Sequence, residues 1–134
     1  MKKIVLKKKL IIPLILLVFI WIFVSNNIII LFDTDTCVGR FQYKDKDFEV
    51  HLSDEDAKVI IDIFNGKLII NDSPSCGFDE SCSVKINNKT FCIASDLCGE
   101  VYVLEKDKYF SLSEEENQKV RSILMKYGFE FPCI

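Results

Sequence analysis

The first part of the chain is a group of lysines followed by a long apolar stretch. One apolar run covers residues 10–24, three polar residues interrupt it at 25–27, and a second run covers residues 28–32. A helix that crosses a bilayer needs about 20 apolar residues, a length that the two runs reach only together. The pattern therefore predicts one transmembrane helix over residues 10–32.

After residue 32 the apolar positions take the spacing of short strands and helices. Phe48, Val50 and Leu52 alternate with polar residues, which is typical of a half-buried strand. Two other segments carry apolar side chains three and four positions apart, so that they line one side of a helix. Their members are Ala57, Ile60, Ile61 and Phe64, and Val120, Ile123, Leu124 and Tyr127. We therefore predict two amphipathic helices.

Both predicted helices have recognisable ends. Ser53 and Ser113 each precede a helix and are followed three residues later by an acid, which is the spacing of a capping box. Gly66 and Gly128 stand where the helices should end, since glycine accepts the left-handed backbone of a C-terminal cap. Each helix is therefore expected to run from its serine to its glycine.

The segments between the helices predict further strands. Residues 67–70 indicate a short strand and residues 71–81 a loop, and a hairpin over 83–86 and 90–94 turns at Asn87–Asn88. About six short strands and two helices are most simply arranged as an antiparallel sheet with helices on one face. The predicted fold class is α+β.

An offset of 60 residues relates the two helix-containing segments. Residues 44–64 align with residues 104–124, with six identities over the 21 positions. Each copy has the order strand, charged turn, strand, cap and helix. Any two ββα units would share caps and apolar spacing, so a tandem ββα repeat and two unrelated units both fit.

The charges beside the apolar stretch indicate its orientation. Asp33 and Asp35 follow the stretch, whereas five lysines precede it: Lys2, Lys3, Lys7, Lys8 and Lys9. Basic residues that flank a transmembrane helix tend to stay on its cytoplasmic side. We therefore expect a cytoplasmic basic segment over 1–9, a single-pass transmembrane signal-anchor over 10–32 in the cell membrane, and an extracytoplasmic α+β domain over 33–134.

A cleaved secretory signal is the alternative to an anchor. The basic start and the length of the apolar run fit both interpretations, but Phe23–Ser25 puts a bulky ring where signal peptidase requires a small residue. The anchor is favoured for this reason. In the alternative the protein is secreted, so both interpretations place residues 33–134 outside the cell.

The exported part is acidic. Without the five N-terminal lysines it carries 12 basic and 20 acidic residues, so its net charge is 12 − 20 = −8. This balance argues against nucleic acid as a partner. The many Ile, Lys, Asn and Phe residues, with Ala only at Ala57 and Ala94, suggest a bacterial source.

All six cysteines lie on the exported side, where thiols oxidise: Cys37, Cys76, Cys82, Cys92, Cys98 and Cys133. The preferred pairing is Cys76–Cys82, Cys92–Cys98 and Cys37–Cys133, on grounds of locality and of holding both ends of the domain. A tight turn in the hairpin would place Cys82 and Cys92 on opposite sheet faces, which disfavours that pair. The domain is therefore expected to be stapled by disulfides.

Motifs for cofactors and catalysis are not found in the sequence. The cysteine spacings do not match zinc sites, and neither a calcium loop, a phosphate loop nor a nucleophile elbow occurs. His51, the single histidine, is predicted on the outward side of a strand. The acids at 54–56 and 114–116 suit the first turns of helices. We expect no cofactor, no metal site and no catalytic residue.

One loop is a candidate for partner binding. If Cys76 and Cys82 closed it, Phe78 would be held beside Asp79 and Glu80 at its tip. In the favoured alternative, Phe78 folds inward to fill a small core. The leading hypothesis is a membrane-anchored, extracytoplasmic, non-enzymatic binding domain of unknown protein or envelope partner. A small exported inhibitor acting through this loop, or an envelope enzyme using His51, are the alternatives.

Overall fold

The computed structural model describes residues 2–132, with side chains from residue 7 onward. Within these residues the chain forms three helices and six strands. The helices are α1 (Lys2–Asn27), α2 (Asp54–Phe64) and α3 (Glu114–Lys126). The strands are β1 (Cys37–Tyr43), β2 (Lys46–His51), β3 (Cys82–Ile86), β4 (Lys89–Ile93), β5 (Glu100–Val103) and β6 (Lys108–Ser111).

The strands form one antiparallel sheet in the order β2–β1–β3–β4–β5–β6. The central β3–β4 hairpin pairs Ile86 with Lys89 across a two-residue turn, in which Asn87 takes a φ of 56°. On either side, an outer hairpin leads into a helix, so β1–β2–α2 and β5–β6–α3 are two ββα units. The predicted α+β fold with an antiparallel sheet and two amphipathic helices is confirmed.

The predicted helix starts are also confirmed. The hydroxyl of Ser53 accepts the backbone N–H of Asp56 at 3.3 Å, and that of Ser113 accepts the N–H of Glu116 at 3.2 Å. The Glu116 carboxylate in turn accepts the N–H of Ser113 at 2.9 Å, which completes a capping box. Each cap lies between the second strand and the helix of its ββα unit, so α2 and α3 begin at equivalent positions.

The core lies between one face of the sheet and helices α2 and α3. Phe64 of α2 meets Phe91 of β4 and Phe110 of β6, with ring centroids 5.0 and 5.2 Å apart. All three rings are fully buried. Because they come from a helix and two non-adjacent strands, they fix the helix layer on the sheet.

Helix α1 extends away from this core. The helical residues 7–27 are numerous and apolar enough to cross a membrane. Their most apolar part is not buried against the rest of the described chain. The helix ends at Asn27. The prediction that the membrane helix continues to residue 32 is therefore wrong.

Residues 28–32 belong to the folded domain instead. They are extended, and Ile29 and Leu31 are only 1% and 4% exposed because they enter the core. The Ile29 N–H donates to the carbonyl of Lys67 at 2.9 Å, and the Ile29 carbonyl accepts the N–H of Gly66 at 2.7 Å. In the structure, residues 28–32 therefore pack with the folded residues that follow them.

The partner of this segment is the chain that follows α2. The predicted strand over 67–70 appears as two isolated bridges, one between Leu68 and Ile28 and one between Ile70 and Tyr109. Ile69, between them, is buried. These residues connect the end of α1 to the β6 edge of the sheet.

Candidate functional site

The face of the sheet that points away from α2 and α3 has two halves. The loop that precedes β3 crosses the β4–β6 half, where Phe78 packs against the neighbouring rings of Tyr102 and Tyr109 at centroid distances of 6.2 and 5.5 Å. The ring is half-buried against the outer face of the sheet and is not one of the core residues, so it does not fill the core as the favoured alternative expects. Asp79 and Glu80, the other two residues of the candidate binding loop, are exposed.

A disulfide fastens this loop to the β4–β5 connection. It joins Cys76 to Cys98, 22 residues apart, so the preferred pairs Cys76–Cys82 and Cys92–Cys98 are wrong. The loop turns back across the sheet, which brings Cys76 to the β4–β5 connection. Cys82 and Cys92 are strand residues, and because Ser83 is the residue opposite Cys92, they project to opposite faces.

The remaining described cysteines are free thiols. Cys37, Cys82 and Cys92 are buried, and burial raises the pKa of each thiol to about 12. Such thiols stay protonated and are weak nucleophiles. Cys133, and with it the predicted Cys37–Cys133 pair, lies outside the described residues. Residues 2–132 therefore contain one disulfide and not a full set of staples.

A group of potential metal ligands surrounds this disulfide. Ligand atoms of Cys76, Asp96 and Cys98 lie within 4.8 Å of one another. Both sulfurs are used by the disulfide, and the Asp96 carboxylate accepts the backbone N–H of Cys98 at 2.9 Å. The oxidised group lacks thiolate ligands and acts as a structural tie.

The other half of the outer face is an open groove of about 460 Å³ on strands β1–β4. Side chains of both charges line it: Val38, Arg40, Glu49, His51, Glu80, Ser83, Lys85 and Thr90. Arg40 pairs with Glu49 at 3.2 Å and with Asp47 at 3.7 Å. Lys85 is exposed, and no side chain among residues 7–132 forms an ion pair with it. The groove thus offers one available cation.

The residues considered for catalysis have separate environments. His51 lies exposed on the groove wall, without a hydrogen bond or ion pair to any described side chain. Asp56 accepts hydrogen bonds from Lys126 and Tyr127, which hold the pKa of its carboxyl below the ordinary value. Lys67, followed by the Ser113 cap, likewise lowers the pKa of Glu116. These two acids fasten helix starts, and neither contacts His51.

Arg121 is a buried cation that the sequence patterns did not indicate. Its Nε donates to Asn117 at 2.9 Å, one Nη donates to the carbonyl of Cys98 at 3.1 Å, and the guanidinium lies 4.7 Å from the Phe131 ring. Its other Nη has no hydrogen-bond partner in the described chain, and burial lowers the pKa of the guanidinium. Arg121 therefore links α3 to the β4–β5 connection, through Cys98, and to the C-terminal segment, through Phe131.

Comparisons with known proteins add no further site. No protein-family model, no curated protein and no solved structure matches the chain. The outer groove and the disulfide-fastened loop are therefore interpreted from their own chemistry.

Proposed function

We propose that the chain is a membrane-anchored, extracytoplasmic, non-enzymatic domain that binds a protein partner in the groove of its outer sheet face. The observation that carries this proposal is the uncovered half of that face. Helices cover one side of the sheet and the Cys76 loop covers part of the other, but strands β1–β4 leave an open polar groove. An antiparallel sheet that helices cover on one face only can use its other face to bind a partner.

The anchor is supported by α1. The most apolar part of the segment Lys7–Asn27 has a mean hydropathy of 2.3 and is not buried by the rest of the described chain. The lysines at its start favour a cytoplasmic N-terminus, which would put the groove outside the cell. A bacterial cell membrane fits the composition.

Charge indicates the kind of partner segment that the groove would accept. The exported part is acidic overall, yet Lys85 stands in the groove without an ion-pair partner among the described side chains. A partner carboxylate next to Lys85 would complete this pair. Complementary charges of this kind set specificity and orientation more than affinity.

Neither alternative function gains a specific observation. An inhibitory loop closed by Cys76 and Cys82 would present Phe78, but Cys76 bonds to Cys98 and Phe78 packs against Tyr102. For His51, the described residues provide no hydrogen-bonded base or acid beside it. We therefore propose neither an inhibitor nor an enzyme.

Site-specific photocrosslinking in intact membranes tests the groove. A crosslinking residue in place of Lys85 should give one defined adduct, whereas the same residue in place of the exposed Lys119 on α3 should give none. With the identified partner purified, Lys85→Glu should weaken binding about tenfold, and Lys119→Glu should leave it unchanged. Equal effects of the two glutamate variants would refute the groove as the binding site.

A further inference from the structure

A group of exposed apolar side chains lies where α1 enters the domain. Ile30 is 43% exposed, Leu68 55% and Ile70 47%. We name these three residues the exit patch. In each of the two paired segments, 28–31 and 67–70, they alternate with side chains that enter the core, namely Ile29, Leu31 and Ile69. The exit patch is therefore the outward side of a two-stranded ribbon whose inward side belongs to the core.

The ribbon is joined to α1 without a flexible linker. The Ile69 N–H donates to the carbonyl of Asn27 at 2.8 Å, and the Nζ of Lys108 donates to the Asn27 side-chain oxygen at 3.2 Å. Leu68 bridges to Ile28, the first residue after the helix. The exit patch thus begins at the last turn of α1 and is held there by hydrogen bonds from two parts of the domain.

The length of α1 determines the depth of this junction in a bilayer. From Leu10, the first residue after the lysines, to Asn27 the helix has 18 residues, which rise about 27 Å, slightly less than a hydrocarbon core of about 30 Å. The helix has no excess length that could lift the domain away. With the lysines at the cytoplasmic boundary, Asn27 would reach the outer boundary, and Ile28 and Leu68 would follow directly.

We infer that the exit patch is a lipid-binding surface that rests in the outer interfacial region of the bilayer crossed by α1. The inference rests on the proposed anchoring. Apolar side chains at this depth leave water for the boundary between headgroups and acyl chains, which is favourable. Because the ribbon is part of the core, contact at the exit patch would fix the orientation of the whole domain, including its groove, relative to the membrane.

Tryptophan fluorescence in brominated lipid tests this inference on the full chain. The protein is reconstituted in phosphatidylcholine–phosphatidylglycerol vesicles whose acyl chains carry bromine near the headgroup end. In a Trp21→Phe background, Leu68→Trp places the reporter in the exit patch. Leu97→Trp is the matched control, since Leu97 is an exposed apolar residue, 64% exposed, on the β4–β5 connection.

The expected result is strong quenching at position 68, by about twofold or more, and little at position 97. Trp21 in the native chain lies six residues before Asn27, hence about 9 Å inside the bilayer, and reports on anchoring itself. Quenching of Trp21 without quenching at position 68 would overturn the inference and leave the anchor intact. Absence of Trp21 quenching would overturn both proposals.

A second measurement separates lipid from protein as the covering of the exit patch. If another copy of the chain covered it, the emission of the Leu68→Trp variant would be shifted to shorter wavelength but would not respond to the bromines. That outcome would also contradict the inference. Intact Cys76–Cys98 linkage in each variant, read by mass spectrometry under non-reducing conditions, verifies the fold.

Discussion

Phe64 and Phe78 are the same side chain on opposite faces of one sheet. Phe64, on the helix side, is fully buried and meets Phe91 and Phe110. Phe78, on the outer side, is half-buried in a loop and lies against two tyrosines, the nearer being Tyr109. The first ring is surrounded by elements of regular structure, whereas the second belongs to an irregular segment that it holds against the sheet.

This difference separates what holds the domain together from what its surface can do. The helix side combines aromatic packing with capped helices, so its stability is shared among many contacts. The outer side depends on the Cys76–Cys98 bond and on Phe78, and leaves the groove open. Loops fastened at few points tolerate change, and such regions commonly carry recognition.

The largest expected effect comes from truncating the two phenylalanines. Phe64→Ala should lower the free energy of unfolding by about 3–5 kcal/mol, since it removes a fully buried ring and leaves a cavity. Phe78→Ala should cost only about 1–2 kcal/mol, because its ring is partly exposed. Urea unfolding followed by circular dichroism measures both. Equal losses would show that the outer loop is as much a part of the core as α2.

Removal of the disulfide should rank second. The double replacement Cys76→Ala with Cys98→Ala frees the loop ends in the unfolded chain, and we expect a loss of about 2–4 kcal/mol. Protease cleavage should concentrate in the loop before β3 while the helix side stays protected. Reductant should lower the stability of the native chain to that of the variant and leave the variant unchanged. A native chain insensitive to reductant would contradict the proposed fastening.

The sequence predicted the helix side well because its signals are local. The apolar stripe of α2, from Ala57 to Phe64, and the serine caps are repeated within one or two helical turns. The alternation of Phe48 and Val50 likewise marked a strand. Periods of this kind are visible without knowledge of what the element packs against.

The outer side and the end of α1 could not be predicted, because their partners are distant in sequence. Residues 28–32 have the composition of a membrane segment, and only pairing with 66–70 shows that Ile29 and Leu31 enter the core. The Cys76–Cys98 bond depends on how a loop crosses the sheet, which spacing does not reveal. The groove, as a candidate site, similarly requires four strands to be placed side by side.

A smaller effect is expected at the junction of the two helices. The Tyr127 hydroxyl donates to Asp56 at 2.6 Å and accepts the N–H of Ser53 at 2.9 Å, so Tyr127→Phe should cost about 1 kcal/mol near pH 7. Lys126 and Tyr127 lower the pKa of Asp56 in the folded chain. The stability that this carboxylate contributes is therefore present above the ordinary Asp pKa and lost as pH falls through the lowered value.

Unfolding measured at about pH 7 and about pH 2 should show that the cost of Tyr127→Phe decreases in acid. Tyr43→Phe is the matched control, since the Tyr43 hydroxyl has no hydrogen bond in the described chain. Its stability should equal that of the native chain at both pH values. A cost of Tyr127→Phe that is independent of pH would exclude Asp56 as the origin.

The smallest expected effect is a gain in stability on the outer side. One oxygen of Glu100 is buried without a hydrogen-bond partner in the described chain, and burial, followed by the neighbouring Asp72 carboxyl, raises the pKa of Glu100. The folded chain therefore holds this proton more tightly than the unfolded chain. The contribution of Glu100 to stability is greatest below the ordinary Glu pKa and declines as pH rises through the raised value.

Glu100→Gln removes the charge and should stabilise the domain by a few tenths to about 1 kcal/mol near pH 7, with no gain near pH 3. Glu115→Gln removes the same charge from the first turn of α3, where an acid favours the helix, and should be slightly destabilising. Thermal unfolding at the two pH values distinguishes these signs. Because Asp72 belongs to the loop that covers β4–β6, a gain confined to Glu100→Gln would show that this covering is held against an electrostatic cost, in contrast to the helix side. If both glutamine variants gave the same gain, the cause would be the net charge of the domain and not the contact between Glu100 and the loop.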